Sequence, residues 1–317
     1  MARRSRSQGP KAGGIFLFLL GLFVGAGILY LFLKPSAPRG GETEPPASAR
    51  SSAPRAPRRA EHRKLPSDHV EPEAPAATTA PAATETVTPA GPIHGARVAL
   101  VIDDLGHDVA DLRPLEALGV PVTYSVLPYE PQTPEVVAEL RRRKAEMLLH
   151  LPLEPVNGQY PGPGALLQGM SDGELRQKTE EALKAVPGAV GVNNHMGSLL
   201  SAEEGPMNAV LSVLAERGLF FLDSRTSADS VGYKVALGLG VPAAERQVFL
   251  DGDESPEAIH AQFQRLLTLA RTRGAAIAIG HPHPETLAAL TREVPKAKEE
   301  GFEFVPVSFL LTRAGGE

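Results

Sequence analysis

The sequence predicts an α/β protein built as a distorted (β/α)7-8 barrel, preceded by one transmembrane helix and a disordered linker. Residues 14–33 contain no charged residue, residues 34–95 are rich in Pro and Ala, and residues 96–317 alternate short apolar runs with longer amphipathic ones. Short strands that alternate with helices are typical of βαβ units and a parallel sheet. The chain therefore divides into a basic tail (residues 1–13), an anchor (14–33), a linker (34–95) and one globular domain (96–317).

The apolar run at residues 14–33 has the length of a membrane span. Twenty helical residues rise about 30 Å, the thickness of the hydrocarbon core of a bilayer. Residues 1–13 carry four basic side chains and no acid, and such a flank stays on the cytoplasmic side. We therefore expect an uncleaved, single-pass anchor in the inner (cytoplasmic) membrane, with the C-terminal domain extracytoplasmic, in the periplasm. A cleavable signal peptide is the alternative, although prolines flank the small residues that follow the run.

The composition of the linker predicts a tether, and the composition of the whole chain argues against several classes of function. Residues 34–95 have few large apolar residues, so burial cannot offset their chain entropy, and their prolines favour an extended tether. The net charge of −5 gives no reason to expect a nucleic acid partner. Because the chain has no Cys, disulfides and Cys-ligated zinc are excluded. No G-x-G-x-x-G or Walker A pattern follows a strand, which argues against nucleotide-dependent chemistry.

Eight strand-like runs and five helical patterns are expected in the globular domain. About eight strands fit a closed barrel better than an open doubly wound sheet, which is the alternative. The predicted strands are Val98–Ile102, Val122–Leu127, Glu146–Leu151, Val190–Asn194, Leu219–Leu222, Gln247–Leu250, Ala275–Ile279 and Phe304–Val307. The predicted helices are Thr133–Lys144, Ser171–Ala185, Gly205–Arg217, Pro256–Arg273 and Glu285–Glu299.

Polar residues follow six of these strands, at the ends where α/β barrels carry their active sites. His and carboxylate ligands without thiolate suit zinc, and also manganese, cobalt or nickel. Their convergence at one rim predicts a metal site. The groups are Asp103-Asp104, His150, Asn193-Asn194-His195, Asp223-Ser224-Arg225, Asp251-Gly252-Asp253 and His281-Pro282-His283.

Taken singly, these residues leave alternatives open. Adjacent Asp103 and Asp104 point in different directions, so one can hold a metal while the other acts on a water molecule; either can instead cap the next helix. Residues 223–225 suit an internal ion pair as well as a binding group. Residues 251–253 are predicted to form a turn, and His281 is a candidate general acid because Pro282 leaves one imidazole facing inward.

Six segments of the globular domain resemble, in order, the divergent polysaccharide deacetylase family. They are VALVIDDLG, EMLLHLPLEP, GAVGVNNHMGS, GLFFLDSRTS, VFLDGD and AIAIGHPHPETLAAL. This family is a bacterial envelope branch of the carbohydrate esterases with the NodB-like barrel. The resemblance covers about residues 96–310. It implies a distorted (β/α) barrel and a divalent metal, usually zinc.

The resemblance also implies site roles. Asp103 matches the catalytic base and Asp104 a metal ligand. His150 matches the first His of a ligand pair whose second His is replaced here by Glu154. The third ligand is then Glu154, His195 or His281, and we favour His195; His281 matches the general acid.

Two family motifs, Arg-Pro-Pro and Asp-x-x-Asp-Trp, are not recognisable in this chain. The segments NNHMGS and LDSRT stand in their places. We therefore predict that their polar residues bind substrate: Asn193, Asn194, Asp223, Ser224 and Arg225.

The expected function is metal-dependent removal of acetyl groups from amino sugars of cell-envelope polysaccharide, which would be the partner of the domain. One alternative is a catalytically inactive barrel that binds glycan or an envelope protein. A second alternative is a metal hydrolase that acts on another amide or ester.

Overall fold

The computed structural model describes residues 95–313. The predicted tail (1–13) and anchor (14–33) lie outside the described residues, as does the predicted linker except for residue 95. Within residues 95–313, no helix has both the length and the apolar character that crossing a membrane requires. The transmembrane anchor at residues 14–33 therefore stays a prediction.

Nine strands and seven α-helices alternate through the described residues. The strands are β1 (Arg97–Leu105), β2 (Thr123–Val126), β3 (Met147–Leu153), β4 (Gly191–Met196), β5 (Phe220–Asp223), β6 (Ala243–Glu245), β7 (Val248–Phe249), β8 (Ala275–Gly280) and β9 (Glu303–Phe304). The helices are α1 (Leu112–Ala117), α2 (Thr133–Arg143), α3 (Asp172–Ala185), α4 (Glu204–Arg217), α5 (Gly232–Gly238), α6 (Pro256–Arg273) and α7 (Pro284–Glu299).

Every predicted strand and helix has a counterpart, while three short elements, β6, α1 and α5, were not predicted. Local capping explains where two of the longer helices begin. At the start of α3, Ser171 and Glu174 form the reciprocal capping box that their spacing predicts. At the start of α6, the Ser255 hydroxyl accepts from the Ala258 amide, and Pro256 occupies the first helical position.

All the strand pairings are parallel, in the order β6-β5-β4-β3-β2-β1-β8-β7, with β9 beside β1. Side chains from β1, β3, β5, β6 and β8 pack into one interior cluster, so the sheet curls as a barrel does. The predicted closure is wrong at one place, because β6 and β7 do not pair. Only two residues separate these strands, whereas parallel pairing needs a crossover of about a dozen or more.

The side chain of Gln247 spans this open seam. Its amide oxygen accepts from the Ile277 N–H at 2.7 Å, and its own backbone N–H donates to the Ile277 carbonyl at 3.1 Å. Its amide nitrogen donates to the Glu245 carbonyl on β6. One glutamine thus connects backbone groups of β6 and β8 across the gap in the sheet.

The barrel interior changes from apolar to polar along the strands. Its lower part is built from every second residue of the strands, as one face of a strand requires: Ala99, Val101, Leu148, Phe220, Leu222, Ala244, Ile277, Ile279 and, from the C-terminal segment, Val307. One alternation further along β1 and β3, the same face carries Asp103 and His150. The apolar floor therefore supports a buried polar layer at the C-terminal ends of the strands.

The Gly191→Ala variant is expected to be less stable by about 1–3 kcal/mol, because a Cβ there would lie 2.7 Å from the Phe220 ring in the packed interior. Urea unfolding of the full-length chain measures the change. Gly205→Ala is the matched control, since a Cβ at this position in α4 meets nothing within 4 Å. Equal free energies of unfolding for the two variants would contradict the packing described here.

Candidate metal centre

Three strands on the same side of the sheet order, two of them adjacent, carry the buried polar layer. Asp103 on β1, His150 on β3 and Asn193 on β4 are at most 3% exposed. His150 and Asn193 are register partners across β3 and β4, so their side chains stand side by side. These residues lie where parallel strands of a barrel end, which is where such folds place their chemistry.

Asp104 reaches the same rim because β1 becomes irregular at its end. The register between β1 and β2 shifts between Ile102 and Leu105, and Asp104 has a φ of 57°. In a regular strand, adjacent side chains point to opposite faces. The left-handed conformation, which is unfavourable for a residue with a Cβ, turns the Asp104 carboxylate toward the site beside Asp103.

Three ligand-type atoms from Asp104, His150 and His195 form a compact triangle. Asp104 Oδ1 lies 3.2 Å from His150 Nε2 and 2.9 Å from His195 Nδ1. The two imidazole nitrogens are 3.2 Å apart. Although Asp104 Oδ1 is buried, neither contact to it has the geometry of a hydrogen bond.

The triangle fits a divalent cation. A cation about 2.0–2.2 Å from each N or O ligand in tetrahedral geometry places those ligands roughly 3.3–3.6 Å apart, close to the separations observed here. The Asn193 amide oxygen lies 3.0 Å from His150 Nδ1 and can only accept a hydrogen bond. It therefore fixes the tautomer in which Nδ1 carries the proton and the Nε2 lone pair faces the triangle.

The electrostatics of the group agree with this fit. Burial alone would raise the pKa of Asp104, but the charge of His195 and the close approach of both imidazoles hold that pKa well below its usual range. Burial alone would lower the pKa of His150, but the charges of Asp103 and Asp104 raise that pKa overall. The imidazolium form of His150 carries a second proton on Nε2, and a cation at the triangle would replace that proton. The affinity of the site for a cation should therefore fall as the pH falls.

Asn193 connects the predicted ligand to the predicted base. Its amide nitrogen donates to Asp103 Oδ1 at 2.9 Å and to the Ser224 hydroxyl at 3.2 Å. Its amide oxygen accepts from the Ser125 hydroxyl and faces His150 Nδ1. The side chain is completely buried and its hydrogen-bonding groups are occupied within the protein. This arrangement favours orientation of Asp103 and His150 rather than the predicted contact with substrate.

His281 faces the triangle from the position directly after β8, and Asp251, two residues after the end of β7, holds it there. His281 Nδ1 lies 3.0 Å from Asp251 Oδ1, and His281 Nε2 lies 3.8 Å from Asp104 Oδ2. Asp251 Oδ2 accepts from the His281 N–H and from the Thr286 hydroxyl. The prediction of a turn at residues 251–253 thus missed an orienting carboxylate.

The Asp251 carboxylate also controls the proton on His281. Burial alone would lower the pKa of His281, but the charge and hydrogen bond of Asp251, with the charges of Asp104 and Asp103, raise that pKa to about 10. The same pair holds the pKa of Asp251 below its usual range, against the effect of burial. His281 therefore carries a proton at neutral pH, as a general acid must.

The Asp251→Asn variant is expected to lose part of the pH dependence of stability. A raised pKa means that His281 stabilises the fold fully below its ordinary value of 6.5 and loses this contribution as the pH rises toward about 10. Urea unfolding in the presence of a chelator should show this decline in the unaltered chain. The decline should be smaller in Asp251→Asn, and parallel pH curves for the two proteins would contradict the pairing.

A second group of metal-ligating side chains comprises Asp251, His281 and His283. Both oxygens of Asp251 already accept hydrogen bonds from His281, and one also accepts from Thr286. His283 lies at the cleft surface, 3.9 Å from Glu254. These contacts favour orientation of His281 over a second cation.

The remaining predicted residues lie around the triangle but not in it. The Glu154 carboxylate, an alternative third ligand, accepts from the Gln168 amide instead. Asn194 accepts from the Ser224 amide and donates to the Met196 carbonyl.

Two other predicted substrate-binding residues, Asp223 and Arg225, are engaged in the loop after β5. The Asp223 carboxylate accepts from the Arg225 and Tyr233 amides and from the Ser230 hydroxyl. The Arg225 guanidinium donates to the carbonyls of Ser230 and Ala228. Their roles in substrate binding stay predictions, and these contacts favour a supporting role.

A cleft of about 460 Å³ opens over the triangle. Asp104, His195 and His281 line the cleft on the side of the triangle. Tyrosine and proline residues also line it, and we refer to them as its wall. A cleft of this size suits a small ligand. No sequence pattern marked the wall residues, because they lie in loops and come together only in the folded domain.

Comparisons with known proteins agree with this architecture. Residues 100–311 match the family described as divergent polysaccharide deacetylase. The chain is 36% identical to the uncharacterized protein YibQ of Escherichia coli over 203 residues, which is 64% of each chain. An uncharacterized protein of Haemophilus influenzae is 35% identical over 61% of this chain and 69% of its own length.

A solved structure supports the same assignment. The crystal structure of an uncharacterized protein from Agrobacterium tumefaciens is similar over 70% of this chain and 92% of its own length, with a TM-score of 0.64 and 30% identity. The family match extends from β1 to the C-terminal segment and therefore includes every residue of the triangle. The chain belongs to the divergent polysaccharide deacetylase family.

Proposed function

We propose that the chain is a metal-dependent hydrolase that removes the acetyl group from amino sugars of cell-envelope glycans. The carrying observation is the triangle of Asp104, His150 and His195, with Asp103 and the protonated His281 beside it. The family assignment supports the class of reaction. The predicted extracytoplasmic location of the domain supports the choice of envelope glycan.

Asp104, His150 and His195 would hold the cation, which we propose to be zinc. When bound, it would supply Lewis acidity to the acyl carbonyl and to a water molecule. Asn193 would orient the imidazole of His150 toward the cation, and its amide nitrogen donates a hydrogen bond to Asp103 Oδ1. Asp103 Oδ2, which lies 3.5 Å from His150 Nε2, then remains available to the reaction.

The two flanking groups would move the protons. Asp103 accepts a proton from the attacking water molecule as the oxygen of that water bonds to the acyl carbon. His281 Nε2 donates a proton to the amide nitrogen as the carbon–nitrogen bond breaks, and Asp251 stabilises the imidazolium before this transfer. The products are acetate and a free amine, and exchange with solvent restores Asp103 and His281.

Acetate release from N-acetylchitotetraose by the full-length chain tests the proposal. We expect release after zinc loading, loss with a chelator and recovery when zinc is added again. Asp103→Asn is the matched inactive control, since it keeps the shape of the side chain and removes its basicity. If zinc binds but no acetylated glycan is hydrolysed, the chain is a binding barrel. Turnover of only simple esters or amides would assign it to another class of metal hydrolase.

A further inference from the structure

We infer that the tyrosine–proline wall of the cleft binds the apolar face of an uncharged pyranose ring. The wall is defined by Tyr129, Tyr160, Pro128, Pro161 and Pro163. This inference rests on the proposed function and adds the recognition of the sugar to it. Sugar rings carry C–H groups on their faces, and aromatic rings pack against such faces while hydroxyl groups stay at the edges.

The two tyrosine rings are unusually exposed for large side chains in this domain. Tyr160 is 74% exposed and Tyr129 is 41% exposed, whereas most large apolar side chains of the described residues are buried. Both rings border the same cleft as Asp104 and His281. Five other large apolar side chains of the described residues are also exposed, but none of them lines this cleft. Exposed aromatic surface that borders a cleft is typical of a ligand-binding site.

The loop that carries Tyr160 is fixed at its base. The Leu166 N–H donates to the Pro152 carbonyl, and the Glu154 N–H donates to the Leu166 carbonyl. The Val156 N–H donates to the Ser198 hydroxyl. With Pro161 and Pro163 restricting the loop backbone near its tip, Tyr160 would bind a ligand with a small loss of conformational entropy.

Tyr129 lies against a glycine of the loop that carries Tyr160. Gly164 has a φ of +78°, and a Cβ there would lie 2.7 Å from Tyr129 Cδ2. The absence of a side chain at Gly164 thus allows the Tyr129 ring to lie against the loop. The two tyrosines belong to one connected surface, although they follow different strands.

The charges at the rim of the cleft, as distinct from those at the cation site and His281, favour an uncharged ligand over an anionic one. None of the cleft-lining residues in the described part of the chain is Lys or Arg, and Asp111 and Glu130 contribute carboxylates to the lining. Glu130 lies 3.0 Å from His107 Nδ1 at the rim. Anionic polymers would meet repulsion there, whereas a neutral acetylated sugar can pack on the tyrosines and form hydrogen bonds with this polar pair.

Isothermal titration calorimetry with N-acetylchitotetraose tests the wall directly on the zinc-loaded, full-length chain, with Asp103→Asn present in every protein compared so that the probe is bound but not hydrolysed. Tyr160→Ala should weaken binding about tenfold, and Tyr160→Phe should bind nearly as well as the unaltered chain, because the ring face makes the contact. Val156→Ala is the matched control: Val156 is 65% exposed on the same loop but does not line the cleft. Binding should change little between low and high salt, because the ligand is neutral.

The outcomes separate this inference from the proposed function. Equal affinities of Tyr160→Ala and Val156→Ala, or no binding by the unaltered chain, would overturn the wall as a sugar site. If Tyr160→Ala releases acetate with an unchanged KM, the wall is excluded while the deacetylase function stands. If the chain binds the probe through Tyr160 but releases no acetate, the wall is supported and the hydrolase function fails.

Discussion

Replacing His150 with alanine is expected to abolish stoichiometric zinc binding and, with it, acetate release. His150 is 1% exposed and its Nε2 atom forms one corner of the triangle. Because the site is closed to bulk solvent there, a water molecule does not readily take the place of this ligand. Loss of an outer-shell partner already lowers metal affinity roughly 10- to 100-fold, and loss of a direct ligand should exceed this range. Mass spectrometry of the zinc-loaded, gel-filtered full-length chain measures the metal content.

The control for this variant is His260→Ala. His260 lies on the outer helix α6 with its imidazole 50% exposed, and its ion-pair partner is Glu293. This variant should keep one zinc per chain and its acetate release. If His150→Ala retains zinc at the same ratio as His260→Ala, the triangle is not the cation site, and the ligands must be sought elsewhere.

Replacing Asn193 with alanine is expected to weaken zinc binding about 10- to 100-fold. The variant leaves the proton on His150 Nδ1 and one oxygen of Asp103 without their buried partner. Each buried polar group left unsatisfied costs about 1–3 kcal/mol, so the free energy of unfolding should fall as well. Competition with a zinc-sensitive dye measures the affinity, and urea unfolding measures the stability.

Asn194→Ala separates the two effects. Asn194 is the next residue of β4 and is only 2% exposed, but it contacts Ser224 and Met196 rather than His150 or Asp103. We expect a loss of stability of similar size and a smaller loss of zinc affinity. Equal losses of zinc affinity in both variants would show that general loosening of β4, rather than orientation of His150, sets the affinity.

The parts of the site that follow from local sequence were predictable. An apolar strand that ends in Asp103-Asp104 or in His150 reveals both the buried element and the polar group at its end. Because parallel strands share one direction, such residues gather at one rim whatever the strand order. The grouping of Asp104, His150 and His195 was therefore accessible from sequence, although their role as ligands stays a prediction.

The role of Asp251 depends on a contact that local sequence does not contain. The segment DGD has the composition of a turn, and its partner His281 lies thirty residues away, directly after the neighbouring strand β8. Only the pairing of β7 with β8 brings the two side chains together. The same reasoning applies to Asn193, whose contact with His150 depends on the register between β3 and β4.

The open seam of the barrel was missed for a related reason. The strand β6 has three residues and follows Pro242, so it shows neither the length nor the alternation of a recognisable strand. Its spacing from β7 forbids direct parallel pairing, but this constraint appears only when both short strands are known. The side chain of Gln247 carries no sequence signal of its bridging role.

The C-terminal segment has a consequence beyond filling the floor of the barrel. Thr312 exchanges two backbone hydrogen bonds with Ala243, on the side of β6 that faces away from β5. Without it, the N–H and C=O groups of Ala243 would be open to a strand from another molecule, the usual route by which sheets join edge to edge and aggregate. A chain that ends before Thr312 should therefore lose solubility before it loses catalytic activity. An affinity tag should be attached after Thr312 and should not replace this residue.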